Sequence, residues 1–284
     1  MTPCWCCGGA GAPSSRLAPL PFLACARCGF AFRDDRADAE VHAVYEEGDY
    51  EEVRGDAYLR SVADRRRDAR VRLAFLRPYA REGRLLDVGA AGGAFVAEAA
   101  RAGFAAEGIE PTPAFAALAR EGLGVAVQTG TVQSVALEQG AYDVCTLWHV
   151  LEHIPRPLGD LERLRTALKP AGVLALEVPN AGGILAHRQG TSWGSLEPEV
   201  HIGQYTPDAV RALLDAAGFV VLHLGTVTIS EYLTPAARIR PRQLVHRVRT
   251  SAWLRSPRVR HPWGHELLRA VAVAPTSAAT TSAA

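Results

Sequence analysis

From residue 84 onwards the chain alternates between apolar runs and segments with helical periodicity. The apolar runs predict buried strands at 84–90, 105–111, 125–130, 142–150, 173–180, 220–226 and 266–275. Apolar residues at helical spacing predict helices over 95–103, 112–124, 155–171 and 206–219. Strands that alternate with helices through short links predict an α/β fold, with a mostly parallel sheet and helices on both faces.

Three segments outside this alternation have distinctive composition. Residues 34–56 contain ten Asp or Glu against two Arg, and residues 238–265 contain eight Arg and no acid. Residues 57–80 have the pattern of an amphipathic helix. This helix either covers the edge of the main domain or forms a lid over a site, and the two roles are compatible.

Five of the six cysteines lie within the first 28 residues. Cys4 and Cys7 form one C-x-x-C pair, Cys25 and Cys28 form a second, and each pair is followed at once by glycine. Two such pairs supply the four thiolates of a closed tetrahedral site, so they predict a structural zinc ion in a small N-terminal zinc ribbon. Cys6 is a spare thiol inside the first pair. Unliganded cysteines or a redox pair are the alternatives.

These patterns predict six segments along the chain. They are a zinc ribbon at 1–33, an acidic linker and amphipathic lid helix at 34–82, a core domain at 83–230, an Arg-rich insertion at 231–265, a last core strand at 266–275 and a disordered tail at 276–284. The formal net charge of +1 indicates no bulk polyelectrolyte character. The sequence has no apolar run of membrane-spanning length and no secretory signal pattern, so we expect a cytoplasmic protein without a transmembrane segment.

The stretch "LWHVLEHIP" contains His149, Glu152 and His153 in the order H-x-x-E-H. This order matches the zinc signature of the inverted metalloproteases, which requires both histidines on one helix face. Here an apolar strand runs directly into His149, which places that residue at a strand end and outside a helix. The surroundings therefore disfavour a protease, and they disfavour a metal ion bound by this signature.

The segment "LLDVGAAGGAF" combines a buried strand, Asp87, a glycine-rich turn and the start of a helix. Such a turn lets backbone amides and a helix N-terminus approach an anionic group closely. Glu110 closes the next strand, as recognition of ribose hydroxyl groups requires. A nicotinamide cofactor would suit the same features, but the full G-x-G-x-x-G spacing is absent from this loop.

Taken in order, these motifs resemble the class I S-adenosylmethionine-dependent methyltransferases over residues 84–230. "DVGAAGG" is similar to their first motif, "GIEP" to the second, "GTVQSV" to the third and "YDVCTLWHVLEHI" to the fourth. Ala91 departs from the pattern, because a middle glycine is usual there. The resemblance implies a Rossmann-like sheet that binds S-adenosylmethionine through Asp87, Gly89, Ala90, Gly93, Glu110, Thr131, Val132 and Trp148.

Methyl transfer requires alignment of the donor with its nucleophile, and removal of a proton when the acceptor carries one. The resemblance places His149 and His153 beside the methyl group, and His201 follows the fifth strand towards the same pocket. These histidines are the candidate bases, because imidazole titrates near neutral pH. The Asn/Asp-Pro-Pro-aromatic motif of nucleobase amino methylation is absent after the fourth strand, which favours a small-molecule hydroxyl or carbon acceptor.

The combination of ribbon, acidic segment and core resembles enzymes of sugar, glycan or natural-product methylation, although the longer sugar enzymes carry a further C-terminal domain. The alternative function is an RNA methyltransferase that binds RNA through its ribbon and Arg-rich insertion, and a non-catalytic binding module is a third hypothesis. Only Arg16 and Arg27 are basic within residues 1–32, so nucleic acid is the less favoured partner. The insertion predicts either a basic arm beside the acceptor pocket that favours an anionic or lipid-linked substrate, or simply a solvated basic face, with RNA binding as a third alternative.

Overall fold

A computed structural model of the chain describes residues 2–35, 62–227 and 265–276. The acidic linker after residue 35, the Arg-rich insertion up to residue 264, the tail after residue 276 and the predicted start of the lid helix lie outside these described residues. The strands are β1 (Gly11–Pro13), β2 (Leu23–Cys25), β3 (Ala31–Phe32), β4 (Gly83–Val88), β5 (Phe104–Glu110), β6 (Val127–Thr129), β7 (Tyr142–Trp148), β8 (Leu168–Pro179), β9 (Gly203–Gln204), β10 (Val220–Val227) and β11 (Leu267–Val273). The helices are α1 (Val62–Leu76), α2 (Ala94–Arg101), α3 (Pro113–Leu123), α4 (Leu158–Ala167), α5 (Ile184–Gln189) and α6 (Pro207–Ala216).

A seven-stranded sheet forms the centre of the described structure, in the order β10-β11-β8-β7-β4-β5-β6. The five strands from β8 to β6 in this order run parallel, and β11 lies antiparallel between β8 and β10. The order reverses beside β4, which pairs with β5 on one side and β7 on the other. Ligands bind at such a reversal, outside the carboxyl ends of the strands. The predicted Rossmann-like α/β fold is confirmed.

The predicted helix over 155–171 is too long at its carboxyl end. Helix α4 ends at Ala167, and β8 already begins at Leu168. Pro170 explains the early end, because proline lacks the amide that a helix needs and disfavours helical backbone in the residue before it. Ala171 then adopts a positive φ of 61° and donates its amide to the Ala274 carbonyl at 3.0 Å, which ties this stretch to the end of β11.

The N-terminal segment packs against the core domain and shares a sheet with it. Strands β1, β2 and β3 are antiparallel, and their fourth partner is β9 of the core, with Ala31 opposite Gln204. Aromatic side chains from both parts fill the junction, with ring centroids 4.8–5.5 Å apart between successive members of the series Trp5, Phe32, Phe30 and Tyr205. Sequence patterns did not predict this shared sheet.

Helix α1 is the described part of the predicted lid helix. Its buried residues Ala69, Leu73 and Leu76 belong to the same apolar cluster as Phe95 and Trp148 of the core. Its arginines pair with α2 and β8 residues, and these ion pairs are Arg66–Glu98, Arg70–Glu98 and Arg72–Glu177. The helix is therefore anchored over the carboxyl edge of the sheet. None of the helices in the described residues is long and apolar enough to cross a membrane.

Candidate active site

Two adjoining cavities open beside the glycine turn at the carboxyl ends of the parallel strands. Cavity A, of about 320 Å³, is lined by Glu110, Thr112 and the segment 130–133, which includes Thr131 and Val132. Cavity B, of about 470 Å³, is lined by Asp87, Ala90, Trp148, His201 and residues of α1. The residues common to both walls are Gly89, Ala91, Phe115, His149 and His153. A ligand bound in cavity A can therefore present one end to cavity B.

The glycine turn between β4 and α2 closes tightly in spite of its alanine. Gly89 has a φ of 67°, and a Cβ there would lie 2.6 Å from Val150. Ala91 adopts a left-handed φ of 45° and donates its amide to Glu110 at 2.8 Å. Gly93 lines neither cavity, since it packs against α3, where an added Cβ would lie 2.8 Å from Ala119. Gly93 thus allows the start of α2 to pack closely against α3, while Gly89 and Ala91 line the two cavities.

Glu110 ends β5 and holds the glycine turn. Its buried carboxylate accepts the amides of Ala91 and Thr112 at 2.8 and 3.0 Å. Burial raises the pKa of Glu110, and these backbone donors oppose the rise. A carboxylate has capacity for further donors, so Glu110 can also accept hydroxyl groups of a ligand in cavity A. The Thr112 hydroxyl beside it is buried without a hydrogen-bond partner among the described residues, which fits a polar ligand at this wall.

Asp87 lies near the end of β4 and faces cavity B. The Thr146 hydroxyl donates to its Oδ1 at 2.7 Å. Burial raises the pKa of Asp87 to about 7, against the opposing effects of Thr146 and Arg72. Asp87 therefore changes charge near neutral pH, and a cationic ligand in cavity B would favour its ionised form.

His149 follows β7 directly, as the sequence indicated, and it adopts an unusual φ of 59°. Glu177 holds it twice, because the His149 amide donates to the Glu177 carbonyl at 2.8 Å and Nε2 lies 3.0 Å from Oε1. His149 Nδ1 lies 3.3 Å from Glu152. Burial lowers the pKa of His149, but the neighbouring carboxylates of Glu152 and Glu177 outweigh burial and raise it to about 9.

Sequence reasoning missed Glu177, which is the centre of a buried ionic network. Its carboxylate is 0% exposed and accepts Arg269 Nε at 2.6 Å and Arg72 Nη2 at 3.2 Å, besides His149. Burial would raise the pKa of Glu177, but His149, Arg72 and Arg269 hold it well below its usual range. The available signal was a single Glu inside the apolar strand "VLALEVP", which a buried parallel strand tolerates only when the charge is paired.

The other two candidate bases meet on the wall of cavity B. The rings of His153 and His201 contact each other edge to face, with centroids 4.7 Å apart. His153 Nδ1 lies 3.0 Å from the Val200 carbonyl, and His201 Nδ1 lies 2.8 Å from the Ser195 carbonyl. Burial lowers the pKa of His153 to about 4, so this ring is neutral at physiological pH.

Two further residues of β7 occupy opposite ends of the strand. Trp148 lines cavity B and packs on Phe95, with ring centroids 5.3 Å apart. Asp143 instead pairs with Lys169 at 2.7 Å and accepts the Arg84 amide at the amino end of the sheet. Asp143 therefore lines neither cavity.

Four cysteines converge at the far side of the ribbon junction. The potential ligand atoms of Cys4, Cys7, Cys25 and Cys28 all lie within 4.8 Å of one another, and the closest sulfur pairs are 3.5 and 3.6 Å apart. Tetrahedral zinc with Zn–S bonds of about 2.3 Å places its sulfurs roughly 3.8 Å apart, so the geometry fits. Cys6 is buried outside this group.

Cavity A thus provides a carboxylate for ribose and a closed glycine turn, and cavity B continues from it towards three histidines. Together with the strand order, these features have the arrangement of the class I S-adenosylmethionine-dependent methyltransferases. A family model described as a methyltransferase domain matches residues 60–224, which is more than half of the chain. The chain belongs to this methyltransferase-domain family.

Curated relatives share part of this core. A ubiquinone biosynthesis O-methyltransferase from Haemophilus ducreyi is 35% identical over 107 residues, which cover 34% of this chain and 45% of that protein. An enzyme of the same name from Xanthomonas campestris pv. campestris is 34% identical over 103 residues, which cover 34% of this chain and 43% of that protein. The chain therefore spans less than half the length of these curated relatives.

Solved structures show the same fold at low sequence identity. An S-adenosylmethionine-dependent methyltransferase from Thermotoga maritima has a TM-score of 0.57 and 18% identity, covering 80% of this chain and 99% of that chain. One from Archaeoglobus fulgidus has a TM-score of 0.54 and 18% identity, covering 76% of this chain and 99% of that chain.

We expect cofactor affinity to depend on the charge of Asp87. Since its pKa is raised to about 7, Asp87 is protonated at pH 6 and ionised at pH 8. The positively charged donor should therefore bind more weakly as the pH falls from 8 to 6. Calorimetric titration of S-adenosylmethionine at both values checks this, and Asp87→Asn should bind weakly at both. An Asp87→Asn variant that keeps the wild-type pH dependence would assign that dependence to another group.

Proposed function

We propose that the protein methylates a hydroxyl group of a small molecule. The observation that carries this proposal is the position of His149, which lines both cavities and is held by Glu177 through its backbone and its ring. A base between the donor side and the acceptor side suits an acceptor that loses a proton as it is methylated.

Bound S-adenosylmethionine supplies an electrophilic methyl group. Glu110 would accept the ribose hydroxyl groups, Thr131 and Val132 would contact the adenine, and Asp87 and Trp148 would adjoin the methionine part. These positions follow from the walls of cavities A and B. The donor's reactive end would then lie near His149, which belongs to both walls.

His149 would take the acceptor's proton. Because the pKa of His149 is raised to about 9, the neutral ring that acts as the base becomes available as the pH rises towards that value. In this neutral ring Nε2 donates to Glu177 and Nδ1 carries the lone pair. The acceptor oxygen would form a bond to the methyl carbon while the carbon–sulfur bond of the donor breaks, and S-adenosylhomocysteine would leave with that electron pair. The acceptor's proton would pass to Nδ1, and Glu177 would stabilise the imidazolium that forms. An orienting carboxylate behind a histidine has the same role in hydrolase triads. Glu177 is in this scheme a positioning residue.

Two observations support the substrate class. The relatives from Haemophilus and Xanthomonas are O-methyltransferases, which favours oxygen over carbon as the acceptor atom. Charged side chains of both signs, among them Arg65, Asp68 and Glu197, line cavity B, which suits an acceptor with polar groups such as hydroxyls. Hydroxyl groups of sugars, glycans and natural products all lie within the proposal.

We also propose that Cys4, Cys7, Cys25 and Cys28 bind one structural zinc ion. The four sulfurs leave no position for a water or substrate, so the ion would stabilise the ribbon without taking part in methyl transfer. The convergence of these four thiols and the exclusion of Cys6 support this ligand set.

Methyl transfer should be testable with labelled S-adenosylmethionine and fractionated lysate. We expect label in low-molecular-mass products that survive nuclease treatment and release methyl iodide with hydroiodic acid, as O-methyl groups do. His149→Ala should lower the rate about 10²- to 10⁴-fold, the usual contribution of a general base. His187→Ala, exposed on α5, serves as the matched control and should retain the wild-type rate.

Three results would contradict this proposal. Label that disappears with nuclease would identify RNA as the acceptor. Label that resists hydroiodic acid would identify carbon or nitrogen as the acceptor atom. An unchanged rate in His149→Ala would remove the assigned base.

A further inference from the structure

A second group of metal-ligand side chains lies on the wall of cavity B. Within the described residues, one further group of three possible metal ligands comes together besides the four cysteines. Ligand atoms of Glu152, His153 and His201 lie within 4.8 Å of one another. Both histidines line cavity B. The set differs from the H-x-x-E-H pattern in the sequence, because His149 pairs with Glu177 and His201 from a distant loop joins instead.

Backbone carbonyls orient both imidazole rings. The Val200 carbonyl faces His153 Nδ1 at 3.0 Å, and the Ser195 carbonyl faces His201 Nδ1 at 2.8 Å. A carbonyl only accepts hydrogen bonds, so each Nδ1 carries the proton and each Nε2 carries the lone pair. Metal-binding histidines are commonly held by such a contact on their other nitrogen, which fixes the tautomer that ligates.

Glu152 supplies an independent observation. Its side chain is 1% exposed, and neither carboxylate oxygen has a hydrogen-bond partner within the described residues. His149 Nδ1 lies 3.3 Å from Glu152 Oε1, so the protonated ring balances part of the charge from one side without a hydrogen bond. A buried carboxylate without hydrogen bonds is costly, and a divalent cation between Glu152 and the two histidines would offset that cost.

We propose that Glu152, His153 and His201 bind one divalent metal ion, such as Zn²⁺, on the wall of cavity B. Two imidazoles and one carboxylate are an established donor set for zinc and leave one coordination position open. Tetrahedral coordination at about 2.0–2.1 Å places ligand atoms roughly 3.4 Å apart, so the turn Leu151–His153 and the loop 195–201 would close slightly around the ion.

The role of this ion rests on the proposed methylation of a hydroxyl group. An acceptor oxygen at the open position would form a metal–oxygen bond, and its O–H bond would break more readily. The proton would pass to His149, and the metal-bound oxygen would then be the nucleophile. The ion would also select acceptors that carry a metal-binding oxygen.

Metal stoichiometry of the full chain tests the site directly. After equilibrium dialysis against Zn²⁺, the wild type should hold two ions, one at the cysteines and one at this cluster. His201→Ala and Glu152→Gln should each bind the second ion at least about a hundredfold more weakly, whereas His187→Ala should keep both. Co²⁺ substitution separates the two sites, because only thiolate ligands produce sulfur-to-metal charge-transfer absorption.

The measured number of bound ions decides whether this metal site exists. One ion per wild-type chain, bound by thiolates alone, would overturn it, and so would two ions in both cluster variants. Thermal unfolding and S-adenosylmethionine affinity establish that the variants are folded. If the protein methylates a hydroxyl group but holds a single ion per chain, the proposed function stands and this metal site is excluded. If it holds two ions but methylates no hydroxyl group, the metal site stands and the proposed function is excluded.

Discussion

Glu177→Gln should destabilise the protein and nearly abolish methyl transfer. The substitution keeps the shape of the side chain but removes the charge that pairs with Arg269, whose side chain is only 4% exposed, and with Arg72. Breaking a buried ion pair on one side costs about 3–5 kcal/mol. Urea unfolding should show a loss of this size.

The catalytic part of the Glu177→Gln effect has its own readouts. His149 would lose the carboxylate that fixes its tautomer, and its pKa, raised to about 9 in part by Glu177, should fall. We expect at least about a hundredfold lower turnover with little change in cofactor affinity, since Glu177 lines neither cavity. Nuclear magnetic resonance titration of His149 measures the pKa shift independently of any acceptor.

Glu162→Gln is the matched control, because Glu162 is exposed on α4. It should leave stability, turnover and the His149 titration unchanged. If Glu177→Gln behaved like this control in all three measurements, the buried network would have no role in holding His149.

Removal of the proposed zinc ion from the four cysteines should have the second large effect. Structural zinc contributes about 10–16 kcal/mol to the folding of small zinc domains. Losing even about 3 kcal/mol of this would lower the melting temperature by roughly 6–12 °C in a protein of this size. Cys28→Ser should show such a fall, together with loss of one bound zinc ion.

The Cys28→Ser substitution should also disturb the active site. The Cys28 carbonyl accepts the Thr206 hydroxyl at 2.6 Å, and Tyr205 next to it donates to the Leu151 carbonyl at 3.2 Å. Leu151 begins the turn that carries Glu152 and His153. Cys28→Ser should therefore reduce turnover as well as stability. Cys6→Ala removes a buried cysteine outside the ligand group and should keep the zinc; equal effects of both substitutions would contradict the ligand assignment.

Local patterns predicted most of the fold, because strand and helix periodicity, the glycine turn and the C-x-x-C pairs are short-range features. The same patterns identified Asp87, Glu110 and His149 as residues that the structure brings to the two cavities. Gly93, predicted to contact the cofactor, instead packs against α3, and this contact depends on the folded structure.

Long-range contacts could not be predicted in this way. Strand β9 has two residues and no periodicity, so its pairing with β3 leaves no signal in the sequence. The contact between His153 and His201 depends on the fold of the loop before β9.

The sheet shared by ribbon and core also imposes an order on biosynthesis. Cys28 and Thr206, which meet across this junction, are 178 positions apart in the chain. At about 5–20 residues per second, a ribosome needs roughly 9–36 s to make the intervening stretch. During that interval the second C-x-x-C pair is already synthesised, but Tyr205 and β9 are not. Metal capture by the nascent ribbon would precede docking, and Phe30 and Phe32 would stay uncovered for chaperones until the core arrives.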